Sequence, residues 1–184
     1  LENFFPTISF SRVISIFRGL GYSGQVSTSL AKLCCLDNVL PQGAPTSPSL
    51  SNIVCKRLDE KLERFAIESG LRYTRYVDDM CFSGGEIKKH TLDEIEKIVS
   101  SEGFRTNKSK THLHAPRSNL KLVTGVNVAL GKMSLPKSYK RAISTDLFHI
   151  EKYGLRSHLA KRKIRDPNYI EALVGKVGYW LFIE

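Results

Sequence analysis

Asp78 and Asp79 stand side by side in YTRYVDDMCFS, residues 73–83, where the flanking sequence otherwise reads as strand. Adjacent carboxylates are hard oxygen donors, and the question is what such a pair would hold. The flanks alternate aromatic or apolar side chains with polar ones and are rich in Tyr, Val and Phe, the composition and period of a half-buried strand. Asp is depleted from strands. The pair therefore fits best as the tip of a tight hairpin with arms at 72–77 and 80–83. Like charges this close repel, so an ionised pair needs a nearby cation or wide exposure to water. Taken alone, a solvated Asp turn would account for it.

Other reactive side chains form no pattern. His90, His112, His114, His149 and His158 lack metal spacing, and His112 and His114 are expected on one strand face, meeting phosphate or solvent. No Ser/His/Asp arrangement and no Walker pattern is present. Cys34 and Cys35 are adjacent rather than spaced for zinc, and Cys55 and Cys81 lie in apolar surroundings. All four read as reduced core residues of a cytosolic protein.

The elements that must position the pair follow from periodicity. Helices are expected over 8–19 and 25–35, then a Pro/Gly/Ser loop over 40–49. Ser47 as N-cap and Pro48 in the first turn open a helix whose apolar residues Leu50, Val54, Leu58, Leu62 and Phe65 run to a stop at Gly70. After the hairpin, Thr91 and Glu94 make a capping box for a helix through Ser101, closed by Gly103. Strands are expected near 104–106, 110–113, 120–128 and 132–135. Pro136 opens a helix to about Tyr153, and a last helix covers 169–182. Helices mixed with antiparallel strands, without a βαβαβ rhythm, give the class α+β.

The chain has 184 residues, with 28 Lys plus Arg against 18 Asp plus Glu, a net charge of +10. The excess is uneven: five basic residues and no acid from Arg105 to Lys121, and nine against Asp146 and Glu151 from Lys137 to Arg165. A one-sided basic field suggests a polyanion, most simply nucleic acid; the alternative is a solvated basic face. No run of 18 apolar residues exists, so no membrane partner is expected. The start at Leu1 and the stop within VGYWLFIE read as part of a longer polypeptide.

LPQGAPTSPSLSN followed by YTRYVDDMCFSG, then GFRTNKSKT and VTG, in that order and spacing, resembles the palm of a reverse transcriptase, in particular the bacterial retron and defence-associated type. The resemblance implies a palm at 1–134, the start of a helical thumb at 135–184, and fingers upstream. It implies RNA-directed DNA synthesis with two Mg2+ ions, Asp78 touching them directly and Asp79 contributing less. A third carboxylate would stand immediately before Leu1, since the family pattern D-L-x-x-F-F-P-S-I matches a chain beginning LENFFPTI; Glu2 is out of phase to replace it.

By the same likeness, Phe5 lies under the incoming sugar and excludes a ribose 2′-hydroxyl, the alternative being that Phe4 and Phe5 are core. Gln42 and Gly43 sit beside nucleotide and template base, or form only a helix-entry loop. Tyr76 joins the substrate-binding group. Lys110 neutralises the leaving pyrophosphate, or is a solvated charge. Val123, Thr124 and Gly125 follow the primer grip, or make a plain hairpin. Lys161, Arg162 and Lys163, the densest positive cluster, are expected on nucleic acid. The implied partners are an RNA template and primer, the RNA–DNA duplex, deoxynucleoside triphosphates and an effector protein in a cytoplasmic anti-phage system. Group II intron and diversity-generating enzymes, or a non-catalytic RNA-binding scaffold, are the alternatives.

Overall fold

A computed structural model describes residues 1–85, 87–113, 121–129 and 131–184. The chain divides into two compact units, Leu1–Pro116 and Arg117–Glu184.

In the first unit, helices α1 (Phe10–Gly19) and α2 (Gly24–Cys34) begin at Ser9 and Ser23, whose hydroxyls accept from the N–H of Arg12 and Val26. The chain between them and the next helices is tied back by Phe10 N–H to the Asn38 carbonyl at 2.8 Å and Leu40 N–H to the Ile8 carbonyl at 3.1 Å. The single helix expected after the loop is two, α3 (Ser47–Val54) and α4 (Lys56–Glu68). Cys55 joins them with ψ of −2°, yet its N–H bonds Ser51 and its carbonyl accepts from Asp59, so the chain bends rather than stops. The start also differs. Thr46 is the cap residue, and Ser47, fully buried, spends its hydroxyl on the Pro41 carbonyl at 2.7 Å.

Leu58, Leu62 and Ala66 recur every fourth residue on the buried stripe of α4. The antiparallel pair β1 (Leu71–Tyr76) and β2 (Asp79–Gly84) follows, with β1 packed on α4. Helix α5 (Lys89–Ser101) starts before the expected capping box: Lys88 is its cap residue, and Thr91 is buried inside the first turn. Its buried Ile95 and Val99 join the cluster of Phe4, Ile8, Leu58 and Phe104. Residues 104–106 and 110–113 form no strand. Instead Asn107 Oδ1 accepts from the N–H groups of Ser109 and Lys110 and winds Lys108–Lys110 into a 3-10 turn. His112 is therefore exposed in irregular chain, and His114 lies outside the described residues.

In the second unit the single strand expected at 120–128 is a hairpin, β3 (Lys121–Val123) and β4 (Val126–Ala129), extended by β5 (Lys132–Ser134). Thr124 and Gly125 both have positive φ, 46° and 85°, as the two-residue turn of a primed hairpin requires. Three helices follow: α6 (Lys137–Tyr153), α7 (Leu155–Arg162) and α8 (Tyr169–Ile183). Gly154 alone separates α6 from α7, at φ 79° and ψ 155°, a conformation open in practice only to glycine. Buried His158 shares a 2.8 Å hydrogen bond with the Tyr169 hydroxyl. Glu184 accepts from Lys140 Nζ, Trp180 Nε1 and the Leu135 N–H. Among the described residues no helix is long and apolar enough to cross a membrane.

Candidate active site

The hairpin is built by alternation. Leu71, Tyr73 and Arg75 face the helices, while Arg72, Thr74 and Tyr76 face out. On β2, Met80 and Phe82 join the core, Phe82 lying 5.0 Å from the Tyr73 ring. The tip is one residue earlier than expected. Tyr76 pairs with Asp79, leaving Val77 and Asp78 as the two-residue turn. Asp79 thus opens β2, exposed, and Asp78 is half-buried in the turn itself.

Val77 has φ 56°. A two-residue hairpin with positive φ at its first central position normally has glycine there, and a β-branched residue in that region is a strained outlier costing about 1–3 kcal/mol. Strain of this kind persists only where the surroundings enforce it. Here the Val77 side chain packs against the core cluster, and its carbonyl accepts from Arg75 Nη1 at 2.9 Å.

Around the turn the chain's first residues converge. The Leu1 nitrogen donates to the Asp78 carbonyl, and Glu2 N–H donates to the Arg105 carbonyl at 2.8 Å. Phe4 is buried core; Phe5 is half-buried, its ring 5.3 Å from that of Phe4. Gln42 and Gly43 are exposed in the loop that Ser47 closes, and Gly43 has φ +90° with open space where a side chain would begin. A backbone so bare lets a ligand approach closely.

No group of three or more His, Cys, Asp or Glu able to hold a metal is formed among the described residues. The donor chemistry nonetheless suits Mg2+, which takes hard oxygen ligands, keeps several waters and is usually held by one or two carboxylates plus substrate phosphates. Asp78 and Asp79 fit that pattern.

Sequence reasoning missed the group beneath the turn. Arg75, with only 6% of its side chain exposed, forks onto Asp59 of α4, Nε to Oδ1 at 2.8 Å and Nη2 to Oδ2 at 2.6 Å. Nη1 also reaches Asn52 Oδ1 of α3 at 3.1 Å, and the Tyr73 hydroxyl donates to Asp59 at 2.8 Å. Burial, then the bond to Asp59, raises the Tyr73 pKa; the bond to Asp59 raises that of Arg75. The signal was the alternation: an arginine in phase with Leu71 and Tyr73 must be buried, and a buried charge needs a partner.

In the second unit Val123 ends β3, and Thr124 with Gly125 forms its turn. Of the basic run, Arg162 is bonded to Asp146, Lys161 borders a small cavity with His149 and Ser157, and Lys163 ends α7 in a left-handed conformation.

An α+β fold in which helices carry an antiparallel hairpin with two carboxylates at its turn is that of a polymerase palm. The reverse transcriptase (RNA-dependent DNA polymerase) family matches residues 3–164. The chain belongs to that family, and it is of the bacterial retron type. It is 40% identical over 152 residues to the retron Ec86 reverse transcriptase of Escherichia coli, covering 82% of this chain and 47% of that protein. To the retron Mx65 reverse transcriptase of Myxococcus xanthus it is 37% identical over 150 residues, 70% of this chain and 34% of the other. To the retron Mx162 reverse transcriptase of the same organism it is 32% identical, covering 97% and 42%. The chain thus spans less than half the length of these relatives.

Proposed function

We propose that residues 1–134 are the palm and 135–184 the start of the thumb of an RNA-directed DNA polymerase that copies a structured non-coding RNA into DNA. The observation that carries this reading is the strained turn at Val77 that presents Asp78, with Asp79 next to it, beside the backbone of Leu1. Two bound Mg2+ ions would stabilise the attacking and leaving oxygens of nucleotide transfer. Asp78 and Asp79 hold them, Asp78 as the main ligand. A carboxylate on a residue preceding Leu1 would stand beside Asp78 and complete the set. Lys110 meets the leaving pyrophosphate. Gln42 and Gly43 line the nucleotide and template base, with Tyr76 beside them. The ring of Phe5 closes the space a ribose 2′-hydroxyl would need. Val123, Thr124, Gly125 and the basic run 161–163 contact the primer end and duplex. Service in phage defence with an effector protein is proposed by analogy alone.

The test is Asp78→Asn in the full-length enzyme. Loss of a metal ligand removes several kcal/mol of transition-state stabilisation, about a thousandfold in primer extension at 1.4 kcal/mol per decade, with RNA affinity unchanged. Extension at the wild-type rate would refute the site. Phe5→Ala is expected to admit ribonucleotides, read as rNTP against dNTP incorporation on one template; unchanged selectivity would return Phe5 to the core.

A further inference from the structure

Four polar contacts fix the Arg75 guanidinium: two to Asp59, one to Asn52 and one to the Val77 carbonyl. Asn52 and Asp59 are seven residues apart on helices that bend at Cys55 without breaking the hydrogen bonds through it, so two helical turns bring both onto one face beneath β1. Arg75 is the strand residue in register to meet that face. The fork on Asp59 has the planar two-point geometry that a lysine cannot reproduce.

The Val77 carbonyl and the Asp78 N–H belong to the same planar peptide unit. Holding that oxygen sets the tilt of the plane, and the tilt sets the direction in which the Asp78 side chain leaves the backbone. Val77 would otherwise relax out of its positive φ. We infer that Arg75, anchored by Asp59 and Asn52, is a positioning residue that enforces the Val77 conformation and thereby aims Asp78. The inference rests on the reading of this turn as the metal-holding turn of a polymerase. A plain ion pair that only fastens sheet to helix is the competing account.

The experiment uses the full-length enzyme as wild type, Arg75→Lys, Val77→Gly and the double variant. Three readouts are taken: kcat and KM for a deoxynucleoside triphosphate, the urea midpoint, and backbone cleavage by ferrous ion substituted for Mg2+, which cuts next to its ligands. Displacing a reacting constellation by about 1 Å costs about a hundredfold. R75K is therefore expected to lower kcat by about that factor with KM little changed, and to weaken ferrous cleavage at residues 77–79. Glycine adopts positive φ without strain, so the loss caused by R75K is expected to be less than about tenfold in the Val77→Gly background.

Wild-type kcat in R75K overturns the inference. So does an equal loss in both backgrounds, or a loss that follows the urea midpoint with ferrous cleavage intact. If R75K does not fold, Asn52→Ala decides: a several-fold loss of kcat at constant KM supports the tether, and unchanged kcat overturns it. Should the wild type neither extend a primer nor be cut near residue 78, the polymerase reading falls and the inference with it. A wild type that does both beside an indifferent R75K leaves the reading standing and removes the tether alone.

Discussion

The two units of this chain bury different things. Leu1–Pro116 closes around a continuous apolar cluster in which Ile8, Val13, Leu40, Leu62 and Val99 have no exposed surface. Among its described residues four polar side chains, Ser27, Ser47, Ser51 and Thr91, are buried as well, and Arg75 is held by Asp59, Asn52 and the Val77 carbonyl. In Arg117–Glu184 the buried apolar residues, among those described, are Val126, Leu135, Ile143 and Leu173, and polar contacts do much of the fastening: His158 to Tyr169, Arg162 to Asp146, Glu184 to three donors. An apolar core fixes positions through close packing and tolerates little displacement. Surface charge tolerates much more, because a polyanion offers phosphates at many positions. The first arrangement suits a site that must hold carboxylates to a fraction of an ångström, and the second suits a grip.

The sharpest way to break this contrast is to cavitate both cores in the full-length protein. Leu62→Ala is expected to cost about 2–5 kcal/mol, and Leu173→Ala, on a helix with exposed Val174, Leu181 and Phe182 around it, to fall at or below the lower end of that range. Hydrogen exchange read on peptides from each unit separates the two effects. Equal losses would mean that the second unit is as tightly packed as the first.

Alkaline pH comes next. Burial pushes the Cys55 thiol from 9.0 up to about 11. A folded-state pKa above the unfolded one means that the stabilising protonated form is fully present below pH 9 and its contribution is lost as pH rises from 9 to 11. At about 1.4 kcal/mol per unit the ceiling is on the order of 2.7 kcal/mol. Urea melts at pH 8 and pH 10.5 are expected to show wild type losing stability relative to Cys55→Ala. A gap independent of pH would show that the bend at Cys55 is open to water.

The smallest effect belongs to the basic run. Each phosphate contact contributes a log–log salt slope of roughly −0.7 to −0.9. Neutralising Lys161 and Lys163 is expected to flatten the slope of RNA binding by up to that amount each, while Arg162→Gln, already paired with Asp146, changes it less. Deoxynucleotide selection is expected to stay as it was. A wild-type slope near zero would reduce the run to a solubilising surface.

What could be seen in the residues, and what could not, follows the same divide. The helices with one strong apolar stripe, the hairpin and the Pro/Gly loop were legible because local pattern and final environment agree. The turn was misplaced by one residue because nothing in Val77 itself asks for positive φ; that conformation is imposed by packing and by Arg75, whose partners Asn52 and Asp59 lie 23 and 16 positions away. Thr91 suggested a capping box, yet burial in the core decided where α5 begins. Thr124 and Gly125 fall inside the strand expected at 120–128, yet the plain hairpin that the same residues also allow is what forms, because a primed turn takes both of them. Helix α7 was missed since its eight residues carry only a weak apolar stripe.

Gly154 has one more consequence, and it concerns reach. Were residue 154 helical, α6 and α7 would fuse into a single rod of about 39 Å at 1.5 Å per residue, with Lys161 and Arg162 at its far end. The φ of 79° folds that rod at one joint, so that Arg162 returns to Asp146 and His158 is tucked inside. One achiral residue therefore works as an elbow: it converts length into a bracket and decides whether the charges at the end of the arm are held close or carried away.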